Sequence, residues 1–407
     1  MPFRTIILFT ALSFSFTANS FSQKVDTTSF KMNTRLSFYS CEKTGEMIIH
    51  IPAKLISGNL EITLSASGKE LVKWKGVPGT KLLRLSFPLE LSRGKSIISA
   101  DIKSEGNLYS TKSLLYLLDY KPNEVKTDCL TGGLIVNRRI FFPFGFYCYS
   151  PVDPLLAEEE AVKGFNMISP YQKILPERLN ERKAYMDRCA QLGMKVHYNL
   201  LSVSGGGGVS SKIEGLSDAD KRERLISEIK TFMDHPALLA WYISDEPNGF
   251  KIPPRQLEEI YRTVRETDPW HPVSVVFMAP FIASKEYADA LDIVMADPYP
   301  VPSGSVSQAG NVVKQLAGEF EGRKPVWLVP QAFGGGEWWE REPTIPEIRN
   351  MTYQALVNGA GGIQYFVRHG PNSFPKSTAA WNECGKIAME VAEIDRKSTR
   401  LNSSHRT

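Results

Sequence analysis

An acidic pair, Asp245-Glu246, stands where the apolar run LLAWYIS (residues 238–244) stops, with Pro247 and Gly249 just behind it. A short apolar run ended in this way reads as a buried parallel strand. Ligands bind beyond the carboxyl ends of such strands, whether the sheet is open or closed. Two adjacent carboxylates repel, so one raises the pKa of the other, and a carboxylic acid still protonated near neutrality can give its proton to a leaving oxygen. Glu246 is the candidate acid. Asp245 holds its pKa up, polarises a ligand or shapes the following loop.

The elements that must position this pair follow from the hydrophobic pattern. From residue 134 onward, apolar segments alternate with helical ones. The candidate strands are FFPFGFY (141–147), FNMISPY (165–171), KVHYNLL (195–201), LLAWYIS (238–244), PVSVVF (272–277), IVMADPY (293–299), PVWLVPQ (325–331) and GIQYFV (362–367). Among the helical stretches, SDADKRERLISEIKTFM opens with the capping spacing Ser217-x-x-Asp220, and PTIPEIRNMTYQALVNG ends at Gly359. Eight such units over residues 134–394 have the number and size of a (β/α)8 barrel, whose active sites lie at the C-terminal ends of the strands. Residues 24–128 carry short alternating segments separated by turn residues and predict a small all-β sandwich ahead of the barrel. The fold class is therefore α/β, a barrel preceded by a β-sandwich.

On that topology the strand ends gather a definite set of side chains. Tyr147 ends the first strand, and His197 and Asn199 lie on the third. Asp245 and Glu246 end the fourth, and Asp297 and Tyr299 the sixth. Gln331 ends the seventh and leads into GGGEWWERE, with Glu337, Trp338 and Trp339. Gln364 and Arg368 belong to the eighth. Aromatic faces stack on the C–H surfaces of sugars, while acids and amides bind hydroxyls. The expected partner is an oligo- or polysaccharide. Gly205–Gly208 lacks the Lys-Ser/Thr of a phosphate loop and reads as a flexible rim loop.

The remainder of the chain bounds the class. Residues 1–22 combine Arg4, an apolar stretch and small residues in the manner of a secretory signal peptide, which predicts a secreted or periplasmic protein. No stretch is long and apolar enough to predict a membrane span. Residues 395–407 read as the translation of a sequencing adapter rather than as part of the fold. That segment and Arg4 account for the net charge of +4, so the body is formally neutral, which argues against nucleic acid as a partner. The five cysteines show no metal-ligand spacing and read as mostly buried free thiols. No metal or organic cofactor is expected.

These residues resemble the clan of glycoside hydrolases built on (β/α)8 barrels. The segment LIVNRRIFFPFGFY is similar to that clan's entry into the first strand, GFNMISPY to its second strand, and WYISDEP stands where many members have Asn-Glu-Pro. The resemblance implies retaining hydrolysis, with Glu246 as acid/base and a nucleophilic Glu on the seventh strand. Here the chain departs: PVWLVPQ resembles the seventh strand of family 42 β-galactosidases, but Pro330 and Gln331 stand at the nucleophile's place. Three chemistries remain open. Glu337 can serve as nucleophile or base, Asp297 can activate water for inversion, or an Asp-Glu pair like that of families 20 and 123 can use the substrate's own acetamido group. The expected function is cleavage of O-glycosidic bonds with Glu246 as general acid/base. The alternative is a carbohydrate-binding barrel that lacks the nucleophile and is catalytically inactive.

Overall fold

The computed structural model describes residues 30–148, 154–207, 213–335, 339–368 and 378–404. By compactness the chain forms two units. One comprises residues 1–32, 48–85 and 97–113, and the other residues 33–47, 86–96 and 114–407.

The second unit contains a closed barrel of eight parallel strands. These are β1 (Phe144–Cys148), β2 (Met167–Pro170), β3 (Lys195–Asn199), β4 (Leu238–Asp245), β5 (Val273–Phe277), β6 (Ile293–Ala296), β7 (Val326–Leu328) and β8 (Gly362–Arg368). Each falls within or beside its expected segment. Both faces of every strand are covered, by helices outside and by neighbouring side chains within, so the strands read as continuous apolar runs without alternation. The helices begin where local chemistry allows. Ser217 caps Asp218–Phe232, its hydroxyl accepting from the Asp220 N–H at 3.1 Å while the Asp220 carboxylate accepts from the Ser217 N–H at 3.2 Å. Thr344 and Glu347 form the same reciprocal box at the start of Ile345–Val357.

Three short strands precede the barrel as an antiparallel sheet, Val125–Asp128, Gly133–Val136 and Arg139–Phe141. Val125, Leu134 and Val136 share a core cluster with the barrel residues Leu239, Ile293 and Trp327. The Val125 N–H donates to the Trp270 carbonyl ahead of β5, and Asn123 Nδ2 donates to the Met233 and His235 carbonyls ahead of β4, so this segment lies against the end of the barrel opposite the C-terminal strand ends.

Ahead of this, the chain forms a four-stranded sheet (Lys69–Gly76, Leu60–Ala66, Gly94–Ser104, Asn107–Leu117) and a three-stranded sheet (Lys31–Thr34, Thr44–His50, Leu82–Pro88). Period-two burial is clear where Ile62, Leu64, Ala100 and Ile102 point inward. Two details differ from expectation. RLSFYS (35–40), one of the short segments that read as strands of the sandwich, is irregular, with isolated bridges at Leu36 and Tyr39. The strand Lys69–Gly76 escapes the pattern because half of its sequence, KELVKWKG, is charged; it forms by pairing along the whole of Leu60–Ala66. All five cysteines are free, and Cys148, Cys189 and Cys384 are buried. Among the described residues, no helix is long and apolar enough to cross a membrane, and no cluster of His, Cys, Asp or Glu has the arrangement of a metal site.

Candidate functional site

The acidic pair reaches the mouth of the barrel through an irregularity in β4. Tyr242 and Ile243 belong to different core clusters, Tyr242 to the barrel interior and Ile243 to the layer beneath the helices. Strict alternation would turn Asp245 outward with Ile243. Pairing with β5 instead slips between Tyr242 and Ser244: Tyr242 faces Ser274, while Ser244 and Asp245 face Val275 and Val276. This extra residue is a β-bulge, and it returns Asp245 to the side of Tyr242. The next residue, Glu246, has φ of +50°, a left-handed conformation that costs a non-glycine residue about 1–3 kcal/mol. It is held there because its N–H donates to the Val276 carbonyl at 2.9 Å and its own carbonyl accepts from the N–H groups of Gly249 and Phe250.

The glycine run expected to form a flexible rim loop has a different role over its described part. Gly206 lies so close to β4 that a Cβ there would come within 2.3 Å of the Ile243 carbonyl oxygen. The Ser244 hydroxyl donates to the Gly206 carbonyl, and the Ser204 hydroxyl donates to that of Ile243. Absence of a side chain lets this segment buttress the bulged strand.

Three carboxyls meet at the mouth. Asp245 accepts a 3.4 Å hydrogen bond from the Tyr171 hydroxyl. Burial raises its pKa to about 7 and the charge of Glu246 adds to this, while the phenols of Tyr242 and Tyr171 oppose it. Asp297 follows β6 directly and is only 8% exposed. Its Oδ1 is buried without a hydrogen-bond partner among the described residues. Burial, then the charges of Glu246 and Asp245, push it well above the ordinary carboxylate range. Among the described residues, no Lys, Arg or His forms an ion pair with any of the three.

The walls around them are aromatic. Tyr147 packs against Tyr171, Tyr242 and Phe366 with ring centroids 5.3–6.1 Å apart. Tyr299 stacks on Phe366 and meets Phe333 and Trp339 edge-on, and the Trp339 indole N–H donates to the Tyr299 carbonyl at 3.2 Å. Tyr242, Phe333 and Phe366 carry no signal in the sequence, because each sits in an apolar run or loop and reads as core.

Several expected ligand-binding residues are engaged otherwise. The Gln331 side chain is consumed by backbone: its oxygen accepts from the Val301 N–H at 2.8 Å, and its amide donates to the Val301 and Phe333 carbonyls. It fastens the loop after β6 to that after β7. His197 is fully buried beneath the tyrosines, with Nδ1 against Gln364 Oε1 at 2.8 Å and Nε2 against the Ser274 hydroxyl. Burial lowers its pKa to about 3, so the ring is neutral. Asn199 turns its oxygen to the Leu201 N–H, while its Nδ2 and the Gln364 Nε2 are buried without a partner among the described residues. Arg368 does not neutralise the acidic pair. It binds Glu159 at 2.6 Å and lies over the Trp381 ring. Glu337 and Trp338 lie outside the described residues.

No family model and no curated protein matches the sequence. Among solved structures, the chain is similar to a β-D-glucuronidase from Dictyoglomus thermophilum, with 13% identity and a TM-score of 0.45 over 88% of this chain and 68% of that one. It is similar to a β-glucuronidase from an uncultured Clostridium sp. at 13% identity and a TM-score of 0.47, over 88% and 69%. A putative β-galactosidase from Bacteroides fragilis matches at 12% identity and a TM-score of 0.44, over 84% and 55%. The chain thus spans between about half and about two thirds of the length of these proteins.

Proposed function

We propose that the protein hydrolyses O-glycosidic bonds at the barrel mouth, with Glu246 as general acid/base. The observation that carries this reading is the gathering of Asp245, Glu246 and Asp297 inside an aromatic enclosure, with no ion pair to a cation among the described residues. A fold does not maintain three such groups in one place for its own stability, and perturbed carboxyls in a cleft mark functional sites. In the proposed reaction Glu246 gives its proton to the glycosidic oxygen as the C–O bond breaks. The nucleophile bonds to the anomeric carbon as that oxygen departs; a water then breaks this bond by delivering hydroxide to the carbon, and its remaining proton returns to Glu246. Tyr299, Phe366 and Trp339 supply the apolar faces for the sugar ring.

The end of β7 supplies no carboxylate, since Pro330 and Gln331 stand there and Gln331 is engaged with backbone. The nucleophile then comes from the Glu337 loop or from an N-acyl group on the substrate, oriented by Asp245. The same feature favours a second reading, a barrel that binds sugar and does not cleave it. Chromophore release from a panel of aryl glycosides, N-acetylhexosaminides included, decides between them. Turnover that collapses in Glu246→Gln establishes the hydrolase. Sugar binding without turnover on any member establishes the binding protein.

A further inference from the structure

We propose that the N-terminal face of the barrel carries a second binding site, for a small organic anion held by Arg265, Arg323 and Lys324. The proposal is independent of the glycoside hydrolase reading, because the site lies at the end of the barrel away from the carboxyl mouth.

Arg265 stands in the last turn of the helix Pro254–Thr267, and Arg323 and Lys324 lie between the helix Gln308–Glu319 and β7. A cation near a helix C-terminus is an ordinary arrangement. Here the three converge on one pocket of about 330 Å³, whose lining also holds Arg35 and a single carboxylate, Asp292. A cleft lined by one sign of charge concentrates ions of the other. Arg35 is already answered, by Asp128 at 2.8 Å and Glu46 at 3.1 Å. The Asp292 carboxylate accepts from the Tyr261 hydroxyl and the Val273 N–H, both at 2.9 Å, and stands 3.9 Å from Arg265. Arg265 gives one N–H to the His271 carbonyl at 2.9 Å, and Arg323 meets Glu321 at 3.5 Å on a half-exposed side chain. Lys324 donates to the Leu291 carbonyl at 2.5 Å and forms no ion pair among the described residues. Burial lowers its pKa, and the charges of Asp292 and Asp289 oppose this without pairing with it. An ammonium withdrawn from water in this way is stabilised by an anion placed beside it.

The remaining lining indicates the kind of anion. Leu36, Leu118, Pro269 and the rings of Tyr116 and Tyr261 give the pocket apolar walls, and its volume suits a small organic molecule. Guanidinium forks match the oxygens of carboxylates and phosphates. The ligand is therefore a small carboxylate or phosphate ester. One wall of the pocket belongs to the segment 33–37 and the other to loops of the barrel, so an occupant ties that segment to the barrel.

Isothermal titration calorimetry with citrate and with glycerol 3-phosphate tests the site, with glycerol as the uncharged control. Binding of at least one of the two anions, but not of glycerol, is the expected result, and which anion binds separates a carboxylate ligand from a phosphate. Affinity should fall as sodium chloride is raised, and the bound anion should raise the thermal unfolding midpoint. Lys324→Met keeps the apolar stem and removes the charge; it should weaken binding by about 10-fold or more, the scale of one charge-assisted hydrogen bond. Arg323→Ala, at a more exposed position, should weaken it by about 3- to 10-fold and keeps the test decisive should Lys324→Met fail to fold. Glu246→Gln should bind the anion as the wild type does. No binding of either anion, binding that glycerol reproduces, or binding unchanged in either folded variant overturns the proposal. So does binding lost in Glu246→Gln, which places the anion at the mouth. The hydrolase reading stands or falls separately, on the aryl glycosides.

Discussion

Asp268, fully buried, and Asp245, half-buried, are aspartates of the same unit, and they behave in opposite ways. Asp268, ahead of β5, is completely buried, which by itself would raise its pKa. The His271 ring beside it, the Trp241 indole N–H and the Trp270 backbone N–H outweigh that and hold it below the ordinary value. Its Oδ2 accepts from Trp241 at 2.8 Å and lies 2.7 Å from His271 Nδ1, while His271 Nε2 lies 2.9 Å from the Asn123 carbonyl. Asp245 has one long hydrogen bond from Tyr171 and an anion next to it, and its pKa rises to about 7. The difference teaches where the fold provides partners and where it withholds them. Before β5 the buried Asp268, His271 and Trp241 answer one another, which holds the chain together. At the mouth the carboxyls are left to one another, a loss of stability that makes sense as preparation for a ligand and a proton transfer.

This contrast can be broken at either end. The largest expected effect is at the mouth: Glu246→Gln should lower kcat on a responsive aryl glycoside by about 10²–10⁴-fold while leaving the thermal unfolding midpoint nearly unchanged. An equal loss of stability would make Glu246 a structural residue. Next comes Asp268→Ala, which strips Trp241 and His271 of their acceptor. Urea unfolding should show a loss of about 3 kcal/mol, with activity per folded molecule retained.

The third prediction concerns pH. A carboxyl whose folded pKa lies above its unfolded value favours the folded state while protonated, and that contribution is lost as pH rises from the unfolded to the folded pKa. For Asp245 the window runs from about 4 to about 7. Asp245→Asn should therefore match the wild type near pH 4 and exceed it above pH 7 by on the order of 2 kcal/mol, read from unfolding curves across that range. A variant less stable than wild type at pH 8 would mean that Asp245 is as well answered as Asp268. The smallest effect belongs to Tyr171→Phe. Loss of one long hydrogen bond should raise the Asp245 titration by less than about one pH unit, detectable by NMR of the carboxyl carbon.

Much of this architecture was legible in the residues. All eight barrel strands lie in apolar runs whose covered faces demand such composition, and the caps at Ser217 and Thr344 start their helices as the spacing requires. The acidic pair at the end of β4 and Asp297 at the end of β6 were likewise visible as charges that interrupt apolar runs. Composition fails where partnership decides. KELVKWKG forms a strand because Leu60–Ala66 offers it a complete ladder, and Gln331 looks available until the loop at Val301 takes both ends of its amide.

By itself, the sequence determined the order of elements, the barrel and the types of side chain delivered to its rim, because these depend on periodicity and on which faces must leave water. Only the tertiary structure decided which of those side chains meet. The bulge after Tyr242 reverses the facing of Asp245, Gly206 closes on β4, and β5 holds both Glu246 and Asp297, through the carbonyls of Val276 and Phe277. A one-residue slip in register leaves no mark in hydrophobic pattern, yet it moves a carboxylate from one side of a strand to the other.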